Sequence, residues 1–277
     1  KKYEDLYDIH QNEFYNFKDK LYLYTQSAGI IVNRIWEKEK RKPIFCLNEN
    51  QKKTGWETLK KIGIKQGDWF VTVHVRDPGF KGIEKHRDAD IEDYFPAFSK
   101  VTESGGWVIR IGDSNSKKIP KMKKVIDYPY SSIKSDFMDI FLSTECRFMI
   151  GTSSGMSAIS YIANVPIAMT NYRPLSTLYL SSRDLYLPGL LKNKDGKFLN
   201  FEELYKPQNS IGALDGIYTN LLNLNFYQNK PEEIEELVEC MIKKLDKSKK
   251  NYQQSIYQEK INKIIKNNNT LLCDNIG

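Results

Sequence analysis

The sequence predicts an α/β fold: a Rossmann-like parallel sheet flanked by helices, with a short N-terminal region in front of it. Three observations predict it. Trp69 to Asp77 (WFVTVHVRD) is a continuous run of β-branched and aromatic residues, the pattern of a strand covered on both faces. A second run, Trp107 to Asp113 (WVIRIGD), follows after a helix-length segment, which makes a right-handed βαβ unit. A third, Arg147 to Ile150, enters a Gly/Ser/Thr turn and then a helix of small residues.

The elements follow in order. Residues 1–65 are expected to be mostly helical, with helices over Glu13 to Lys20 and Ile30 to Lys40, an extended stretch over Pro43 to Leu47, and a helix over Thr54 to Ile62. Thr54 and Glu57 have the spacing of a capping box, and Gly63 ends that helix. After the first sheet strand, Asp90 caps a helix running to Val101, and Gly105-Gly106 closes it. Val125 to Asp127 is a third strand, and Ser135 caps a helix to Thr144. Met156 to Ala163 is a helix and Pro166 to Met169 a strand. Beyond Asn171 the pattern loosens into an inserted loop and a small helix. Pro231 to Lys244 is an amphipathic helix with Pro at its first position and acids in its first turn. Residues 251–277 form a Lys/Asn-rich tail.

Composition narrows the function classes. Hydrophobic residues at 40% and charged residues at 28% support a packed core and exclude disordered and collagen-like chains. No apolar run reaches the length of a membrane span. The four cysteines lie far apart without CxxC spacing, so neither a zinc site nor a disulfide framework is indicated, and a cytoplasmic setting is expected. The net charge of +7 suits a protein that handles anions. Nucleic acid is not expected, because no aromatic stripe is interleaved with Lys and Arg.

Chemistry-bearing residues gather where the strands end. In a βαβ sheet, ligands sit beyond the carboxyl ends of the strands. Gly151-Thr152-Ser153-Ser154-Gly155 leaves backbone N–H groups and hydroxyls at the positive end of a helix dipole, which makes an anion pocket; an ordinary capped helix fits the same residues. Neither GxxxxGK[ST] nor GxGxxG is present. His74 and Arg76 share one face of their strand, and the Arg fork suits phosphate. An ion pair across the strand ends, with His74 in the core, is the alternative. A turn after Arg76 can redirect Asp77. The Gly-containing loop from Gly79 brings His86 and Arg87, a titratable base and a cation, to the same end. Arg110 and Asp113 repeat the strand-end logic on the next strand.

HVRDPGF, HRDADIEDYFPA, GGWVIRIGD, SDFMDIFL and RFMIGTSSGMSAISYIANVPIAMTN, in this order and spacing, resemble a bacterial glycosyltransferase family found with surface-polysaccharide and glycan genes. The match is dense from Ile64 to Thr170 and continues loosely to Leu245. More distantly, His74-Val75-Arg76 followed by a Ser-Ser turn opening a helix is similar to the α1,6-fucosyltransferases and protein O-fucosyltransferases, which have the GT-B fold. That resemblance implies a donor-binding domain over 66–250, with 1–65 the remnant of an acceptor domain. It implies Arg76, Ser153 and Ser154 on the donor diphosphate, with His74 nearby. The α1,6-fucosyltransferases carry a second Arg where this chain has Asp77, which removes a positive charge.

The expectation is an inverting, metal-independent glycosyltransferase that moves a sugar from a nucleotide-diphosphate donor to a glycan hydroxyl in surface polysaccharide or glycoconjugate synthesis. Asp77 and His86 are the candidate bases. His74, Arg76, Arg87, Arg110, Asp113, Thr152, Ser153, Ser154 and Gly155 are the candidate donor-site residues. No cofactor is expected beyond the nucleotide sugar, with a GDP-sugar favoured. The acceptor is a glycan or lipid-linked glycan, reached in the cytoplasm with peripheral contact at the inner membrane face. A pyruvyl-transferase-like enzyme using phosphoenolpyruvate and a non-catalytic nucleotide- or glycan-binding module are the alternatives.

Overall fold

The computed structural model describes residues 14–17, 20–23, 33–76, 88–172, 181–200, 203 and 224–246. Six parallel strands make the central sheet: β3 (Phe70–His74), β4 (Trp107–Arg110), β5 (Val125–Asp127), β6 (Met149–Gly151), β7 (Ile167–Tyr172) and β8 (Leu185–Pro188). Their order across the sheet is β5-β4-β3-β6-β7-β8. The chain therefore starts in the middle, winds out through β4 to β5, and returns to β6 on the other side of β3. The Rossmann-like class predicted from the sequence is the observed one. The direction of winding reverses between β3 and β6, and in open α/β sheets such a reversal is where a ligand crevice forms beyond the strand ends.

Each face of the sheet has its own core. On one, Val71 and Val73 of β3, Ile150 of β6 and Ala168 of β7 pack with α3 (Phe95–Glu103) and α6 (Pro231–Leu245). The two helices also pack on each other. On the opposite face, Phe70, Ile109, Met149 and Ile167 meet α2 (Glu49–Lys60), α4 (Asp136–Glu145) and α5 (Gly155–Ile162). The period-two alternation of a strand produces this division, with Phe70 and Val71 on opposite sides. Each large side chain buried here stabilises the fold by about 1.5–3 kcal/mol.

Several elements differ from the sequence expectation. Glu13 to Lys20 is not a helix: β1 (Phe14–Phe17) pairs antiparallel with β2 (Lys20–Leu23), Phe14 opposite Leu23. The aromatic-rich FYNF and KLYL segments favour strand, and pairing with a neighbour overrides their weak helical pattern. Within 30–40, α1 spans Asn33–Lys38. Pro43 to Leu47 joins no sheet.

The helix expected at Thr54 starts five residues earlier. Asn48 caps it, accepting from the Gln51 amide at 2.9 Å while Gln51 accepts from the Asn48 amide at 2.9 Å. Gly55 is therefore a packing position inside a helix: a Cβ there would lie 2.1 Å from the Phe141 ring. Asp90 does cap its helix, but the first turn, Ile91–Tyr94, is 3-10 and the α-helix begins at Phe95, with Pro96 in its first turn. The stretch expected to be loop and small helix holds β8 and the short strand β9 (Leu190–Lys192), which pairs with β10 (Asn225–Tyr227). Pro188 is tolerated because β8 is a sheet edge. Among the described residues no helix is long and apolar enough to cross a membrane.

Candidate functional site

The crevice between β3 and β6 is built from the two strand ends. His74 lies opposite Gly151 in the parallel register, and the Thr152 amide donates to the His74 carbonyl at 3.1 Å. Two residues after His74, the Arg76 amide donates to Thr152 Oγ1 at 3.2 Å. The close approach requires glycine at 151. Its φ is +145°, and a Cβ would lie 1.9 Å from the His74 carbonyl oxygen.

Ser154 opens α5. Its hydroxyl accepts from the Ser157 amide at 3.3 Å, and its own amide donates to Ser157 Oγ at 3.0 Å. Both groups are thus engaged in the helix cap, as the alternative to an anion pocket requires. The first-turn amides of Gly155 and Met156 come next along the helix, and first-turn amides have no intrahelical acceptor. Space beside Gly155 is open, since a Cβ there would touch nothing within 4 Å. The helix start therefore keeps its positive end for an incoming group.

Arg76 brings a cation to the same crevice, and the cation has a counter-charge. Its Nε lies 3.3 Å from Asp88 Oδ1, with about a tenth of each side chain exposed. The Arg76 carbonyl accepts from the Ala89 amide at 3.0 Å, so the chain returning at Asp88 is fastened to β3 through both backbone and side chain. His74 adds an imidazole whose Nδ1 is buried and has no hydrogen-bond partner among the described residues. Burial, and next the Arg110 guanidinium, push its pKa down to about 4. At neutral pH it is an uncharged ring with an unused nitrogen.

Arg110 and Asp113 stand farther along the same edge. Arg110 is buried on β4, with Nη1 3.1 Å from Asp127 Oδ1 on β5 and Nη2 donating to the Lys117 carbonyl. It ties the β4–β5 ladder to the following loop. Asp113 is exposed, and its carboxylate accepts from the Asn115 amide at 2.7 Å, a local turn. The structure therefore brings His74, Arg76, Thr152, Ser154 and Gly155 together, with Ser153 between them in the chain. Asp77, His86 and Arg87 lie outside the described residues.

Asp88, which the sequence groups with His86 and Arg87 as the carboxylate of a polar loop, is instead the partner of Arg76. Other polar groups at this end carry no such sequence signal. Gln228 donates from Nε2 to the Asp88 carbonyl at 2.6 Å. Asn171 and Asn229 exchange amide-to-side-chain bonds at 2.5 and 2.6 Å, and Asn229 also donates to the Pro188 carbonyl. These bonds fasten the segment before α6 to the carboxyl ends of β7 and β8. The YQNKP sequence ahead of α6 was the only trace of them, because the partners lie 58 and 140 positions away.

No protein-family model matches the chain, and no curated protein matches it. Among solved structures it is similar to the crystal structure of the glycosyl transferase family 9 from Veillonella parvula, at 10% sequence identity and a TM-score of 0.44. The likeness covers 72% of this chain and 53% of that one, so the chain spans about half the length of that structure.

Proposed function

We propose that the protein is a glycosyltransferase that holds the diphosphate of a nucleotide sugar in the β3–β6 crevice and passes the sugar to a hydroxyl of a glycan. One observation supports the reading: the Arg76 amide donates to Thr152 Oγ1 at 3.2 Å, which joins the strand end that carries the cation to the turn that leads into α5. The resemblance of the HVRDPGF and IGTSSG motifs gives the reaction class.

In this reading the departing nucleoside diphosphate concentrates negative charge as the glycosidic bond to the donor breaks. Groups already aimed at that position lower the barrier directly. The Gly155 and Met156 amides supply donors along the α5 dipole, and Arg76 supplies a cation shared with Asp88. Asp77 or His86 takes the acceptor hydroxyl proton, and the hydroxyl oxygen attacks from the face opposite the leaving group, with inversion. Asp88 is engaged by Arg76, and the Asp90 carboxylate accepts from the Glu92 amide, which supports a metal-independent reaction. A GDP-sugar donor and a lipid-linked acceptor at the inner membrane face complete the proposal.

A thermal-shift panel of GDP, UDP, CMP, dTDP and phosphoenolpyruvate tests it. A nucleoside diphosphate at a hundred times its Kd stabilises the fold by about 2.7 kcal/mol. Stabilisation by one nucleoside diphosphate, lost in Arg76→Ala, is the expected result. Stabilisation by phosphoenolpyruvate alone points to pyruvyl transfer, and no stabilisation by any nucleotide ends the proposal. Asp77→Asn or His86→Ala should keep donor binding and lose turnover; if both variants turn over normally, the base lies elsewhere.

A further inference from the structure

A second set of cations lies at the other end of the sheet. Two adjoining hollows of about 30 and 340 Å³ sit between α1, the turn after α5, and the segment entering β8. They share Trp36, Glu37, Asn164 and Arg183. Because β7 and β8 begin at Ile167 and Leu185, these hollows border the amino edge of the sheet, away from the β3–β6 crevice.

Arg183 is the unusual group here. It is only partly exposed, and its guanidinium is fixed by Nη1 donating to the Asn164 carbonyl at 2.7 Å and Nε donating to Ser181 Oγ at 3.3 Å. It forms no ion pair with a carboxylate among the described residues. Glu37, the acid that lines both hollows, is turned to the backbone instead, where its Oε1 accepts from Ser181 Oγ at 2.6 Å and from the Ser182 amide at 3.0 Å. The neighbouring Asp184 carboxyl is buried and accepts from the Ile167 amide at 2.8 Å. Two more cations stand at the rim. Lys40 lines the larger hollow, and Arg41 stacks on the Trp36 ring at 5.0 Å while its Nε pairs with Glu39 at 2.5 Å. Beside them Ile44 is 66% exposed and Ile162 38% exposed, both lining the smaller hollow.

We propose that this groove binds the phosphate group of a phosphomonoester, with the organic part of the ligand against Ile44 and Ile162. A held guanidinium whose Nη2 has no hydrogen-bond partner among the described residues keeps donors for a phosphate oxygen. Lys40, Arg41 and Arg183, set against Glu37 and the Glu39 that pairs with Arg41, leave a net positive charge that suits a phosphate group. The apolar residues at the same rim suit a ligand that is more than a bare ion. Both a soluble phosphorylated metabolite and the phosphomonoester headgroup of a lipid carry this chemistry.

Calorimetric titration of the full chain tests the site, with inorganic phosphate, glycerol 3-phosphate and vesicles of phosphatidylcholine doped with phosphatidate as probes. Inorganic phosphate should bind, and Arg183→Gln should weaken it roughly tenfold or more. Because Arg183 also holds Ser181 and Asn164, the double variant Lys40→Gln, Arg41→Gln is the independent check. Both residues are on the surface, and their loss should weaken binding several-fold with an unchanged Tm. Arg183→Gln should keep its stabilisation by the nucleoside diphosphate, which separates this groove from the β3–β6 crevice. Vesicle binding abolished by Ile44→Ser assigns the phosphate to lipid, whereas glycerol 3-phosphate binding without vesicle binding assigns it to a soluble ester. Absence of phosphate binding, or a wild-type affinity in the Lys40/Arg41 double variant, overturns the proposal.

Discussion

The Arg76 guanidinium is held 3.3 Å from the Asp88 carboxylate, joining the end of β3 to the chain that returns to lead α3. The pair is nearly buried, so its charges are weakly screened and each depends on the other. The cation at the crevice is thus already balanced before any ligand arrives. Under the proposed function, an incoming diphosphate would compete with Asp88 for it.

Asp88→Asn should expose that competition. Removing one partner of a nearly buried pair costs about 3 kcal/mol. The same change frees the guanidinium, so affinity for the stabilising nucleoside diphosphate should rise several-fold. Urea denaturation and ligand titration on the same variant measure the two effects. A variant with lower stability and unchanged or weaker ligand affinity would mean that Arg76 serves only to hold the chain.

Thr152→Val tests the contact between the strand ends. It keeps the shape of the side chain and removes the acceptor for the Arg76 amide, which should cost about 1–2 kcal/mol. Thr152→Ser retains the hydroxyl and should recover most of that loss. Equal stability of the Val and Ser variants would show that the bond contributes nothing.

Gly151→Ala should be among the most damaging single changes. A methyl group would meet the His74 carbonyl oxygen at 1.9 Å, on a backbone with φ of +145°. Backbone and side-chain strain together should cost about 3 kcal/mol or more, since the sheet register leaves no room to move. Chemical denaturation, or failure to obtain folded protein, reads the result. A stable Ala variant would show that the two strand ends lie farther apart than described.

The pH dependence of stability should contain two opposing slopes. Burial, then Arg110, holds His74 down to about 4, so the unfolded chain binds the extra proton between its usual 6.5 and that value. That makes stability fall as pH falls through this window. Burial pushes Asp184 up to about 7 from 3.8, against the hydrogen bonds it accepts, so there the folded chain holds the extra proton. That makes stability fall as pH rises through its window. The two largely offset each other between pH 4 and 6.5. Asp184→Asn should therefore leave a loss of roughly 3 kcal/mol on acidification across that range, and His74→Gln the opposite trend. Urea titrations at several pH values decide, and parallel profiles for wild type and both variants would contradict the assignment.

Much of this architecture was legible because its signals are local. WFVTVHVRD and WVIRIGD read as strands, Ser135 and Asp90 as caps, and Pro231 as a helix start, since each depends on periodicity or on a partner within four residues. The errors fell where a distant partner decides. The helix expected from Thr54 begins at Glu49, where Gly55 sits inside it against Phe141, 86 positions on. Phe14 to Phe17, within the helix expected over Glu13 to Lys20, is a strand because Lys20 to Leu23 pairs with it.

At the crevice, the residue types alone placed an Arg, a His and a hydroxyl-rich turn at strand ends, and with them the class of ligand to expect. Winding order decided that Arg76 and Thr152 share one site, because two strands distant in sequence became neighbours where the sheet changes direction. It also decided what no local pattern carries: Asp88 balances the arginine, the Ser154 hydroxyl belongs to its helix, and Arg183 pairs with no carboxylate among the described residues. A side chain's chemistry is written in its identity, but the charge and donors left for a ligand depend on which neighbours have already claimed them. Only the folded chain sets those neighbours.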